Sequence, residues 1–140
     1  HGVIGTVAAI VPAMLAQGHG TIGIVSSVAG YGGLPKALVY GASKAALINF
    51  AETLYLDLAP RGLGVALINP RFVRTPLTDR NAFPMPYLIS ADEAAAEIVA
   101  GLERGDFEIH FPRAFSRRLK LLRVLPYRWY FAIVRKATGI

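Results

Sequence analysis

IVSSVAGYGGLPKALVYGASKAAL, running from Ile24 to Leu47, is the stretch on which the fold turns. It opens as the end of an apolar, β-branched run that starts at Thr21. It then passes through a Gly/Pro loop at Gly30–Pro35 and enters a small-residue helix. Tyr40 and Lys44 stand four apart, so on that helix they share one face, one turn above the other. A phenol ordinarily titrates near ~10, and a cation held beside it favours the phenolate. Ser27 falls at the carboxyl end of the strand, the end at which open α/β sheets hold their ligands. A proton donor (Tyr40), its tuner (Lys44) and an orienting hydroxyl (Ser27) suit alcohol–carbonyl interconversion better than hydrolysis.

Outward from this stretch, helices and strands alternate. Residues 3–17 read as a helix kinked by Pro12 and stopped by Gly18 and Gly20. Thr21 to Val28 reads as a strand covered on both faces. The next helix runs from about Val39 to Leu58 and is stopped by Pro60 and Gly62. Its polar residues Asn49, Glu52, Thr53 and Asp57 form one narrow stripe, which predicts burial on most sides. Gly64 to Asn69 is a second buried strand, and a loop with Pro70, Pro76, Pro84 and Pro86 follows. Ser90 and Glu93 make a capping-box pattern at the head of a helix that reaches Glu103. Phe107 to Phe111 alternates like a half-exposed edge strand. This order argues for an α/β fold with a parallel sheet and helices on both faces.

A length of 140 residues allows one domain or part of one. The chain is 54% hydrophobic, as expected of a well-buried α/β interior. It has no cysteine, which rules out a disulfide framework, a cysteine zinc site or a thiol nucleophile and fits a reducing cytoplasm. His1, His19 and His110 are scattered without ligand spacing, so no metal site is expected. Neither Ser27 nor Ser43 sits in a nucleophile elbow, which sets a serine hydrolase aside. The net charge of +6 belongs to the tail: residues 1–112 carry seven Lys/Arg against nine Asp/Glu, whereas residues 113–140 carry eight and no acid. A body without a basic face offers nothing to nucleic acid.

The segment Ser26–Gly30, followed by Tyr40-Gly41-Ala42-Ser43-Lys44-Ala45-Ala46, resembles the active-site region of the short-chain dehydrogenases/reductases. That family spaces its residues S-x12-Y-x3-K, and Ser27, Tyr40 and Lys44 fit; Ser26 is one position out of register and reads as structural. The resemblance implies a Rossmann-type doubly wound sheet, NAD or NADP as cofactor, and hydride transfer to or from the carbonyl carbon of a small-molecule alcohol/carbonyl substrate. It implies that Tyr40 is the general acid/base, that Ser27 polarises the substrate oxygen, and that Lys44 also holds the ribose hydroxyls. In the segment after the Gly64–Asn69 strand, Pro70 and Thr75 match positions near the nicotinamide, and Arg71 stands where the family has glycine. Arg71 is thus either strained, a phosphate contact or a solvated loop residue. Substrate contacts are expected from Gly30–Pro35 and from Phe72–Ile89, whose Phe72, Leu77, Phe83, Met85 and Tyr87 suit an apolar substrate. Homodimers or homotetramers are usual in the family, and helices 3–17 and 39–58 are the expected interface.

The resemblance covers only the second half of that fold, roughly residues 1–112. The family's glycine-rich phosphate turn leaves a strand and opens a helix. Here Gly18-His19-Gly20-Thr21-Ile22-Gly23 ends a helix and enters a strand, so it is a helix stop and not that turn. The expectation is a fragment that is inactive and aggregation-prone alone, with a non-catalytic binding or regulatory protein as the alternative. Residues 113–140 form a separate basic tail. Phe115, Leu119 and Leu122 share one helical face, and Arg113, Arg117 and Lys120 share another. Such a tail either packs on the body with its cations solvated or makes peripheral contact with a membrane.

Overall fold

Three parallel strands, β1 (Thr21–Val25), β2 (Gly64–Pro70) and β3 (Glu108–Phe111), form a sheet in that spatial order. The computed structural model describes residues 2–74, 76 and 88–139. The register pairs Ile22 with Val65 and Ile24 with Leu67, then Ile68 with Ile109 and Pro70 with Phe111. Successive side chains on a strand point to opposite faces, so each strand is divided between two cores. Ile22, Ile24, Val65 and Leu67 pack with Val7, Ile48, Ala51 and Leu58, which come from α1 (Gly2–Gln17) and α2 (Leu38–Leu58). On the other face Ala66, Ile68, Ile109 and Phe111 pack with Ala94 of α3 (Ala91–Glu103). An ideal Cβ on Gly101 would stand 2.5 Å from the Ile109 side chain, so α3 lies close against β3 only because that position is glycine.

Two helix signals in the sequence are realised directly. The Ser90 hydroxyl accepts from Glu93 N–H at 3.1 Å, and the Glu93 carboxylate accepts from Ser90 N–H at 2.8 Å, completing the capping box of α3. The exposed Glu93 carboxyl is held below its usual range by those backbone and hydroxyl hydrogen bonds. α1 ends at the left-handed Gly18 (φ 79°) and continues unbroken through Pro12.

Two expectations are corrected. β1 stops at Val25, and Val28–Gly30 forms a 3-10 turn capped by Ser27, whose hydroxyl accepts from Ala29 N–H at 3.2 Å. The serine diverts the backbone from extended pairing into a turn. Nor is β1 covered on both faces: Ile22 and Ile24 are buried, while Thr21, Gly23 and Val25 (56% accessible) are exposed, because α3 covers only β2 and β3. α2 is likewise covered on one side only. Ile48, Ala51 and Leu58 are buried against the sheet, but Leu38, Val39, Tyr40 and Leu56 are exposed.

The tail is helical. α4 (Arg113–Leu122) and α5 (Tyr127–Thr138) fold back over the carboxyl end of the sheet. Tyr130 of α5 is buried, and its hydroxyl donates to Gly33 O at 2.7 Å, fastening α5 to the loop that follows β1.

Candidate active site

The carboxyl ends of β1 and β2 bring the candidate residues to one corner. Ser27, immediately beyond β1 and buried, donates to Pro70 O at 3.3 Å, tying the end of β1 to the end of β2. Ser26 donates to Lys44 O at 2.8 Å, which gives it the structural role expected of it and pins the turn to α2. Gly30 permits that approach. A Cβ there would stand 2.7 Å from the Lys44 carbonyl carbon and 2.8 Å from Ala45 N, closer than real Cβ atoms come. Lys44 in turn reaches Val25 O at 3.4 Å with its ammonium, at the last residue of β1. One turn earlier on α2, the Tyr40 ring centroid lies 5.6 Å from Lys44 Nζ, and the ring is 55% accessible. The four-residue spacing therefore does what helical geometry requires of it. The corner holds a phenol open to a ligand, a cation one turn away, and a buried hydroxyl beyond the neighbouring strand end.

Of the residues expected on the cofactor side, Pro70 closes β2 and accepts from Ser27. Arg71 turns toward the tail: its guanidinium lies 3.4 Å from the Phe115 ring centroid and 5.2 Å from that of Phe72. Its backbone is unstrained, since among the described residues the non-glycine with positive φ is Lys36. Arg71 is half-buried, so the picture of a solvated loop arginine does not hold. Thr75 lies outside the described residues, as do Leu77, Phe83, Met85 and Tyr87.

A second polar cluster, unforeseen from sequence, grows from the first residue of β3. Glu108 on β3 accepts from Tyr31 OH, from Asn69 Nδ2 at 2.9 Å and from Lys120 Nζ on α4; Asn69 also donates to Tyr31 OH at 3.3 Å. Burial alone would raise the Glu108 carboxyl, but the hydrogen bonds from Lys120, Tyr31 and Asn69 outweigh it and hold it below its usual range. Burial and the same carboxylate push the Tyr31 phenol upward. Lys120 is thus drawn inward to Glu108, which corrects the expectation that it lines a solvated face with Arg113 and Arg117. Nearby, burial lowers His110, whose Nδ1 lies 2.5 Å from Ser116 Oγ. Positions 31, 69, 108 and 120 share no local spacing, and Glu108 reads from sequence as an ordinary polar position of an alternating edge strand.

Where β1 and β2 end, Leu34, Pro35, Phe72, Phe115, Leu119 and Ile133 line an apolar cavity of about 590 Å³, with Arg71 at its side. Two of its walls come from α4 and α5.

The donor set at the corner fits the nicotinamide and ribose end of a dinucleotide: an exposed phenol, an ammonium and a buried hydroxyl at the carboxyl ends of parallel strands. The loop with Gly30, Gly32 and Gly33 leads from β1 into α2 and shapes the corner itself, and among the described residues no other glycine-rich turn leaves a strand for a helix. Gly18 and Gly20 instead carry the chain from α1 into β1.

A family model described as short chain dehydrogenase matches residues 1–83. An uncharacterized oxidoreductase of Myxococcus xanthus is 38% identical over 135 residues, covering 96% of this chain and 53% of that protein. Estradiol 17-beta-dehydrogenase 11 of Pongo abelii is 29% identical over 134 residues, covering 94% of this chain and 45% of that protein. Among solved structures, a short chain dehydrogenase from Burkholderia cenocepacia in complex with NADP superimposes with a TM-score of 0.80 at 26% identity, over 95% of this chain and 54% of that one. A short chain dehydrogenase/reductase from Burkholderia phymatum in complex with NAD gives 0.74 at 27% identity, over 86% and 53%. The chain spans about half the length of these relatives. Family match, sheet order and site corner agree, and the chain belongs to the short chain dehydrogenase family.

Proposed function

We propose that this chain supplies the catalytic half of an NAD- or NADP-dependent oxidoreductase that interconverts an alcohol and a carbonyl. The observation that supports this reading is the Tyr40–Lys44 pair at 5.6 Å, whose ammonium reaches Val25 O at the end of β1. A bound nicotinamide would supply the hydride. In the direction of reduction, Tyr40 gives its phenolic proton to the substrate oxygen, and in oxidation it takes that proton back. Lys44 stabilises the phenolate left behind and holds the ribose hydroxyls. Ser27 orients the substrate oxygen by turning its one hydroxyl proton from Pro70 O to that oxygen, while Ala29 N–H keeps the serine oxygen in place. The donors are preorganised by the fold, so little reorganisation accompanies the proton transfer. Pro70, Arg71 and Thr75 flank the nicotinamide side.

The cavity lined by Phe72, Phe115 and Leu119 supports an apolar substrate. Exposed Ile4 on α1 and Leu56 on α2 support a homodimer or homotetramer through those helices. Eight cations without an acid over residues 113–140 support peripheral membrane contact through the tail. Among the described residues no helix is long and apolar enough to cross a membrane.

The test joins this chain to the glycine-rich half of the family's fold and follows nicotinamide oxidation at 340 nm with apolar ketones. Turnover that disappears in Tyr40→Phe, with dinucleotide affinity retained, is expected. Undiminished turnover in that variant overturns the assignment.

A further inference from the structure

The two tail helices show opposite characters on their two sides. Facing inward, Phe115 and Leu119 of α4 and Tyr130 and Val134 of α5 pack on the body and wall the apolar cavity. At 100° per residue, Arg128, Arg135 and Lys136 lie on the side of α5 opposite Tyr130 and Val134. Trp129 borders that cationic strip on one edge and Phe131 on the other, with Tyr127 stacked on Phe131 at 5.6 Å. All three rings are exposed, Tyr127 to 78% and Trp129 to 56%. At the turn between the helices, Leu121 and Val124 are also exposed, beside Arg117, Arg118 and Arg123. Ion pairs among the described residues engage only Arg113, with Glu97, and Lys120, with Glu108, of the tail's cations.

We infer that α4 and α5 form an interfacial surface that seats on an anionic lipid bilayer, with Trp129, Tyr127 and Phe131 entering the headgroup boundary and the arginines on phosphates. This rests on the membrane contact proposed above and specifies its chemistry. Three observations select a bilayer as occupant. The strip is cationic with no acid anywhere in the tail, which matches an anionic surface. Aromatic rings with one polar edge, set beside Arg and Lys, are the residues that settle at the membrane–water boundary. A second copy of this chain is a poor occupant, because a two-fold contact would set each cationic strip against its own like. The cavity lies on the inner side of the same helices, and its rim residue Ile133 is 40% accessible. Seating therefore places the rim against the bilayer, and an apolar substrate reaches it without crossing bulk water.

Trp129 is the one tryptophan of the chain and reports directly. The full chain is mixed with phosphatidylcholine vesicles containing a third phosphatidylglycerol, and bound protein is separated by flotation, which leaves self-aggregates at the bottom. Bound protein is expected to show a blue-shifted Trp129 emission, quenched at least twofold when the phosphatidylcholine carries bromine high on its acyl chains. Arg128→Glu/Arg135→Glu/Lys136→Glu should weaken binding at least ~100-fold, and pure phosphatidylcholine should capture little. Flotation without quenching overturns the inserted surface while leaving peripheral contact standing as electrostatic adhesion. Absence of flotation overturns both, and equal binding of soluble polyphosphate with no quenching assigns the strip to a polyanion instead.

Discussion

The corner around Tyr40 stands where β1 ends, the cluster around Glu108 grows from the first residue of β3, and the two are built in different ways. The corner is made from neighbours in sequence: Ser26, Ser27, Gly30, Tyr40 and Lys44 span nineteen positions and meet through one turn of helix and one tight turn. The cluster joins Asn69 of β2, Glu108 of β3 and Lys120 of α4 with Tyr31 of the loop that follows β1. Local geometry positions the exposed Tyr40, which meets the ligand in the proposed function. Long-range geometry fixes the tail to the body through a half-buried carboxylate. The first kind should fail in chemistry with its fold intact, and the second should fail in stability.

The largest expected effect is therefore on rate. In the joined polypeptide, Tyr40→Phe should lower kcat by about 10²- to 10⁴-fold, the range a positioned general acid contributes. Its melting temperature should stay within about a degree, because the ring is already half-exposed and its hydroxyl has no partner among the described residues. A large loss of stability with little change in kcat would erase the contrast.

Gly30→Ala tests whether the corner depends on close approach. The new Cβ would stand 2.7 Å from the α2 backbone at Lys44, so the turn carrying Ser27 must retreat. Overpacking of this kind costs about 1–3 kcal/mol. A displacement near 1 Å of Ser27 relative to Lys44 should cost roughly 100-fold in kcat. Denaturant unfolding and kinetics on the same variant read both effects.

What could be read from the sequence follows the same division. The four-residue spacing of Tyr40 and Lys44, the Ser90–Glu93 box and the alternation of Phe107–Phe111 each declare themselves within one turn or one strand. Ser27 is legible as a candidate site residue, but its hydroxyl also caps the turn beyond Val25, so the apolar run Thr21–Val28 reads three residues longer than β1 is. The narrow polar stripe of α2 predicts burial on most sides, whereas among the described residues Ile48, Ala51 and Leu58 are its buried positions. Arg71 on Phe115, and Lys120 on Glu108, bridge 44 and 12 positions between separately folded elements, and no periodicity announces such pairs.

Glu108→Gln probes the long-range cluster and gives it a pH signature. The folded carboxyl is depressed, so its contribution is present above the ordinary carboxylate value near ~4.3 and is lost as pH falls through the depressed folded value. Glutamine can still accept from Tyr31 and Asn69 but leaves Lys120 without its counter-charge. Because Lys120 is partly solvated, the expected loss is modest, about 1–2 kcal/mol at pH 7. Well below the depressed folded value the variant and the parent should converge. A constant difference across that range would mean that packing, not charge, fixes the tail.

Ser90→Ala gives the smallest effect and sharpens the comparison most. The serine caps α3 through contacts three residues long, so its removal should cost about 1 kcal/mol whatever the tail does. It shares no hydrogen-bond partner with Glu108, and the two sites touch only indirectly, through α3 packing on β3. The double variant Ser90→Ala/Glu108→Gln should therefore lose the sum of the two single effects to within about 0.5 kcal/mol. A larger coupling would have to travel through Arg113 at 3.8 Å from Glu97, the ion pair that links α4 to α3. Arg113→Ala in the same background would then abolish it, and the tail would count as part of the α3 layer.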